Sequence, residues 1–322
     1  MYPILVTLST PWGALPLYSY GVTLGLGCLL AWYLVMRRGV RRFGLRKPFL
    51  ATGFFLSLVT VIVGARVGYV LTHMHQLDHP SHWFALHAGG LSLYGAVILG
   101  LLVSWLYCRT QHVPLRVWLD IIAPAVAWNV VLLSVGNWLY GSNFGVLLSD
   151  HAPRWLRLLG RFPQWPEATL HQPLWLGERL PHGSPVWAYH VETYGLSQDA
   201  SHSLAVHPTQ LYLSCWGLVL VVVTKSLRSK RYFRGHIFLT MGMLYGFARF
   251  TLGFWIDDPD RIMMMGWSLQ QQFALLAALL SALVYSILAW QHRHHRDVSV
   301  PRQRLQTFAQ VPSVPPPRSS VR

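Results

Sequence analysis

Runs of apolar residues, separated by short polar or basic stretches, organise most of this chain. Seven runs are long enough to cross a bilayer, which takes about 20 residues per helical span. They cover residues 17–35, 49–71, 91–108, 121–145, 208–224, 237–256 and 269–290. The pattern predicts an all-α polytopic membrane protein with seven transmembrane helices. The fourth run differs from the rest. It opens on Ile121-Ile122-Ala123-Pro124 and ends in a polar, glycine-bearing stretch from Ser134 to Gly145. Irregular backbone at membrane depth needs protein or water to satisfy it, so this run belongs inside the bundle and not against lipid.

The intervals between runs set the orientation. MRRGVRRFGLRKP after the first run holds six Lys/Arg, and THMHQLDHPSHWFALH after the second holds none. Arg109 and Arg116 follow the third run, KSLRSKRYFR after the fifth holds five, and the chain beyond Trp290 holds six. The interval after the sixth has only Arg261, beside Asp257, Asp258 and Asp260. Basic loops stay on the cytoplasmic side, which predicts an outer N-terminus and an inner C-terminus. Residues 1–145 then carry the first four spans, 146–206 a small periplasmic head, 207–290 the last three spans and 291–322 a disordered basic cytoplasmic tail. The head is rich in Trp, Pro and His, has no Lys, and bears Arg154, Arg157, Arg161 and Arg179. Trp155, Trp165, Trp175 and Trp187 suit either a surface lying on the headgroup layer or an ordinary folded cap. Residues 1–16 lack the basic start of a cleavable signal peptide.

Composition narrows the class. Hydrophobic residues make up 53% of the 322, and charged residues 11% against a usual quarter. That excludes a cytosolic enzyme, a disordered chain and a disulfide scaffold. The net charge of +15 raises nucleic-acid binding, but basic loops beside apolar runs account for it, and no nucleic acid is expected as a partner. Cys28, Cys108 and Cys215 all lie within apolar runs without metal-ligand spacing, so no metal and no cofactor is expected.

Ionisable groups inside a bilayer are costly and concentrate functional information. Two qualify: Arg66 in GARVGY and Arg249 in YGFARF. Neither has an acid near it in sequence. The orientation places Arg66 near the outer end of the second span and Arg249 in the outer half of the sixth. Asn137 and Asn143 fall in the outer part of the fourth. Tyr18, Tyr20, Ser92, Tyr94, His207, Gln210 and Tyr212 fall near the outer ends of the first, third and fifth. Taken singly, Tyr18 and Tyr20 suit interfacial aromatics, Arg66 suits snorkelling to headgroups, and Asn137 suits a bond to a neighbouring helix. Together, six spans bring polar groups to one level. Guanidinium groups grip phosphate oxygens in bidentate fashion, and apolar helices hold acyl chains. The residues therefore point to an anionic phospholipid of the outer leaflet.

The motif order resembles the prolipoprotein diacylglyceryl transferase family, from about residue 17 to 290. LPLYSYG is similar to the family's first-span element, at Tyr20-Gly21. GARVGYVL resembles Gly-Gly-Arg-x-Gly-Tyr with Arg66 kept, and GGLSLYGAVILG resembles Gly-Met-Ser-Phe-His-Gly-Gly. DIIAPAVAWNVVLLSVGNWLYGSNFG aligns without a gap on the Asp-x-x-Ala-Pro signature that ends Gly-Arg-x-Gly-Asn-Phe-x-Asn-Gly-Glu-x-x-Gly. HPTQLY resembles His-Pro-x-Gln-x-Tyr-Glu, and YGFARF with DDPD resembles Tyr-Gly-x-x-Arg and its nearby Pro-Asp.

The resemblance implies a multi-pass enzyme of the bacterial inner membrane. Its members move a diacylglyceryl group from phosphatidylglycerol to a lipobox cysteine thiol and release glycerol phosphate. Phosphatidylglycerol or a related anionic phospholipid is the implied partner, with a prolipoprotein signal peptide as a second; the oligomeric state stays open. The implied catalytic residues are Arg249, Tyr94 and Asn137. Arg66, Tyr20, Gly145, His207, Gln210 and Tyr212 are implied to bind substrate. Five positions depart from the family pattern. Tyr94 stands where the family has histidine, Ser134 for arginine, Ser142 for glutamate, Leu213 for the glutamate of the His-Pro element, and Gly253 for the sixth-span glutamate. A tyrosine ordinarily ionises near about pH 10 and is a weak base at neutral pH. Besides a divergent transferase with Tyr94, or the head's His202, at the acceptor, two readings therefore remain open. One is an inactive homologue that binds phospholipid; the other is an assembly partner working through its head and tail.

Overall fold

The computed structural model describes residues 4–10, 13–72, 74, 83, 92–164, 184–229, 232–257 and 263–295. Trp165, Trp175, Arg179, Asp258, Asp260, Arg261 and residues 296–322 lie outside the described residues.

The described chain is mostly helical. A β-hairpin, β1 (Ile4–Thr10) and β2 (Gly13–Tyr18), leads into α1 (Ser19–Phe43), α2 (Lys47–Thr72), α3 (Leu93–Thr110) and α4 (Leu115–Tyr140). Two short helices, α5 (Arg154–Leu159) and α6 (Pro185–Tyr194), lie between α4 and α7 (Thr209–Ser226). Then come α8 (His236–Leu252), a 3-10 turn at Gly253–Trp255, the short strands β3 (Met263–Met264) and β4 (Trp267–Ser268), and α9 (Leu269–His295). Six helical stretches are long and apolar enough to cross a membrane: α1, α2, α3, α4, α9, and α8 with its 3-10 turn. The fifth expected span appears as α7, which is 18 residues long and is not among those six.

The first and last helices outrun their apolar stretches at the C-terminal end. α1 continues past Val35 through Arg37, Arg38, Arg41 and Arg42 and stops at Gly44, where φ is 66°. Arginine and lysine are good helix formers, so nothing in the basic stretch ends the helix until a glycine takes the left-handed conformation. α9 likewise continues beyond Trp290 to His295.

α4 is the axis of the bundle. Of its apolar stretch 56% is buried, against 6–28% for the other five. It accommodates Pro124 within the helix and packs on α1, α7 and α8. Small residues let these helices close up, as expected where lipid gives no hydrophobic drive to association. A Cβ on Gly136 would reach 2.2 Å from Thr23 Oγ1 of α1, and one on Gly64 of α2 would reach 2.5 Å from the carbonyl oxygen of Gly95 on α3. α8 owes its start to α4. Its own N-cap, Gly235, has no side chain to offer. The fully buried carboxylate of Asp120 instead accepts the backbone N–H groups of Gly235, Ile237 and Phe238 at 2.9–3.1 Å. A carboxylate there satisfies orphan donors and complements the helix dipole.

Candidate functional site

The end of the bundle opposite Asp120 is where the polar residues gather. α4 delivers Asn137 one turn before its end, and the chain then turns through Gly141 (φ 84°) and Asn143 (φ 53°). The Asn137 carbonyl accepts from Gly141 and Ser142, and its Oδ1 accepts from Ser142 Oγ at 3.1 Å. The first turn of α7 clamps this turn. Gln210 Nε2 donates to the Ser142 carbonyl at 2.6 Å, and Thr209 Oγ1 to that of Asn143 at 2.7 Å. Gln210 is 3% exposed. Gly145 comes next, bridged to Ile256 and bonded through its N–H to the His207 carbonyl at 3.0 Å. A Cβ on Gly145 would lie 2.5 Å from the Trp255 carbonyl oxygen and 2.7 Å from His207 Cβ, so only glycine fits between these two backbone segments. His207 Nδ1 lies 3.2 Å from the Tyr212 hydroxyl. From α1, Tyr20 lies against Gly136, next to Asn137.

Arg66 and Arg249 approach this end on different seams. Arg66 is 7% exposed on α2; its Nε donates to the Trp83 carbonyl at 3.0 Å and its guanidinium lies 5.5 Å from the Tyr69 ring centre. Ser92 donates its N–H to the carbonyl of Ala65, the neighbour of Arg66, at 2.8 Å, which ties the entry of α3 to that level. Tyr94 follows in the first turn of α3 and stacks on Phe273 of α9, ring centres 4.1 Å apart. Arg249 Nη2 donates to Gln270 Oε1, also of α9, at 2.8 Å. Gln270 and Phe273 are three residues apart and share one face of that helix. Tyr94 and Arg249 are thereby brought to the same turn of α9 from two sides. Among the described residues no carboxylate pairs with Arg249, and its guanidinium is held there by the neutral amide of Gln270.

The segment between α4 and α7 is fastened over this end. Phe144, Phe162, Val186 and Val206 form its small core, and Trp138 Nε1 of α4 donates to the Leu159 carbonyl at 3.0 Å. Asp257, just past the 3-10 turn, accepts the hydroxyls of Tyr194 at 3.1 Å and Tyr189 at 3.4 Å. His190 is fully buried beneath them. Its Nδ1 accepts the N–H of Leu204 at 3.2 Å, and its Nε2 has no hydrogen-bond partner among the described residues. Burial pushes this imidazole down to about 4, against a smaller upward pull from Asp257. His202 is exposed, its Nδ1 3.0 Å from Ser201 Oγ.

The family model for prolipoprotein diacylglyceryl transferase matches residues 6–287. The chain belongs to that family. A phosphatidylglycerol–prolipoprotein diacylglyceryl transferase of Limosilactobacillus reuteri is 26% identical over 295 residues, covering 89% of this chain and 90% of its own. One from Acinetobacter baumannii is 27% identical over 298 residues, covering 91% and 95%. Of the positions that read as departures from the family pattern, Ser134 and Gly253 are buried and Ser142 is half-buried. Ser134 is 3% exposed. Ser142 is tied to Asn137. The space over Gly253 belongs to Gln271, whose Cγ would lie 2.3 Å from a Cβ there. Sequence reasoning missed Gln270, Gln271 and the Asp257 tether. Three consecutive glutamines at a helix start carry no signal that singles one out, and Asp257 reads as one acid in an acidic loop.

Proposed function

We propose that the chain transfers the diacylglyceryl group of phosphatidylglycerol to the thiol of a prolipoprotein cysteine, at the outer face of a bacterial inner membrane. The family match over residues 6–287 carries this reading. The placement of Arg249 supports it, because a guanidinium held by a neutral amide keeps its charge for a phosphate. The charge pattern supports seven spans, with α7 as the fifth, the N-terminus outside and the α5–α6 segment as a periplasmic head.

In the reaction the acceptor sulfur forms a bond to the terminal glyceryl carbon, and the bond from that carbon to the phosphate oxygen breaks. Glycerol phosphate leaves with the electron pair. Arg249 stabilises the charge growing on the departing phosphate, with Arg66 in support. A tyrosine hydroxyl both accepts and donates a proton. Tyr94 therefore takes the thiol proton while passing its own to the departing oxygen, and no strong base is required. Asn137, Gly145 and Gln210 form the rigid turn beneath the headgroup; Tyr20, His207 and Tyr212 flank it.

The test is transfer by purified protein in phosphatidylglycerol-containing micelles to a synthetic lipobox peptide, read by mass spectrometry. The peptide gains one diacylglyceryl mass per cysteine, and Arg249→Ala loses about 10²–10³-fold in turnover, as for removal of an oxyanion donor. A folded wild-type protein that retains phosphatidylglycerol yet leaves the peptide unmodified would overturn the reading.

A further inference from the structure

Two glutamines at the start of α9 face α8, one on Arg249 and the other on the backbone of its neighbour Phe250. Ser268 Oγ accepts the N–H of Gln271 at 3.2 Å, and Gln271 Oε1 accepts the N–H of Ser268 at 3.0 Å. This reciprocal pair is a capping box, and it fixes the first turn of the helix. Gln271 is 1% exposed, and its Nε2 reaches across to the carbonyl of Phe250, the residue after Arg249. It can enter only because residue 253 is glycine. The φ of Gly253 is −56°, an ordinary helical value, so space and not backbone conformation calls for glycine there. Further along the seam, a Cβ on Gly246 would lie 2.6 Å from the Ala274 carbonyl oxygen, so α8 and α9 touch backbone to backbone. The register of the two helices is thus fixed on both sides of Arg249, and it sets Gln270 Oε1 2.8 Å from Arg249 Nη2.

We propose that Gln270 is the positioning residue for Arg249, and that its neutrality sets the preference of the site for an anionic headgroup. The inference rests on the proposed role of Arg249 and deepens it. A long arginine side chain has much rotamer freedom, which a fixed acceptor removes before the lipid arrives. The amide oxygen occupies one N–H of the guanidinium fork and leaves the rest for phosphate oxygens. A carboxylate in the same place would hold the arginine equally well but cancel its charge, so the lipid phosphate would have to compete with it.

Gln270→Glu makes that change at constant shape, and Gln270→Met removes the acceptor at similar length. Both are assayed in the peptide-transfer reaction, with phosphatidylglycerol varied from below to above its KM. Gln270→Glu is expected to raise the KM for phosphatidylglycerol at least about tenfold at an unchanged level of folded, membrane-extracted protein, and Gln270→Met by about threefold. A residue that merely packs would lower the thermal stability of both variants and leave KM alone. If Gln270→Glu accumulates poorly, the Gln270→Met result decides by itself. A wild-type KM in the folded variants, with Arg249→Ala inactive, overturns the positioning role and leaves the proposed function standing. Full activity in Arg249→Ala removes Arg249 from the mechanism, and the positioning role with it, while a wild-type protein that leaves the peptide unmodified overturns the proposed function itself.

Discussion

Arg249 and Tyr94 are two side chains asked to do different work at one turn of α9. In the proposed reaction the arginine holds charge, and its removal is expected to cost turnover. The tyrosine is proposed to move a proton, and its ring also packs on Phe273. Tyr94→Phe separates these roles, since the stack survives and only the hydroxyl goes. Transfer to the lipobox peptide is expected to fall by about 10²-fold, the scale of a lost proton-transfer partner, with KM for phosphatidylglycerol unchanged. A variant with wild-type turnover would remove the hydroxyl from the mechanism. At this scale the sequence is readable where chemistry is expensive. An arginine inside an apolar run announces itself, as Arg66 and Arg249 do. A neutral amide at a helix start does not, so Gln270 emerges only from its 2.8 Å contact. Gly253 is the reverse case. In the family pattern it reads as a lost glutamate, whereas in three dimensions its place is filled by Gln271.

Among the elements, α8 depends most on a distant residue. Asp120 holds its first turn across 115 positions of sequence, through three N–H groups and without exposure to solvent. Asp120→Ala leaves those donors buried and unpaired. It is expected to destabilise the protein by about 2 kcal/mol or more, seen as a lower melting temperature in detergent. Asp120→Asn keeps an acceptor and is expected to lose less; equal melting temperatures for Asp120→Ala and wild type would contradict the capping role. The apolar runs located the helices well, because length and hydropathy decide what crosses a bilayer. They placed the ends poorly. Residues 17 and 18 belong to β2 and not to the first helix, and α1 runs on to Phe43 because arginine-rich sequence favours helix as much as leucine-rich sequence does. The unusual polar close of the fourth run was legible as a buried element, and α4 is the most buried of the apolar helices.

For the molecule as a whole, the segment between α4 and α7 is joined to α8 through Asp257 and its two tyrosines, with His190 neutral beneath. The folded imidazole sits at about 4, below the ordinary value near 6.5 of the unfolded chain. The unfolded state therefore binds its proton first as pH falls. The stabilisation from neutral His190 is complete above about pH 6.5 and declines progressively down to about 4. Limited proteolysis between α4 and α7 is expected to speed up as pH drops from 7 to 4.5, and His190→Phe to flatten that dependence. An equal slope in wild type and variant would locate the sensitivity elsewhere. None of this arrangement was legible beforehand. Charge and composition marked a small head rich in Trp, Pro and His but not its contacts, which pair residues far apart in sequence. The most direct test of the central claim is made in cells depleted of their own diacylglyceryl transferase, with this chain expressed in its place and prolipoprotein maturation followed by gel mobility. Maturation restored by the wild type and not by Arg249→Ala is the predicted result; unprocessed prolipoprotein beside abundant, folded wild-type protein would contradict it.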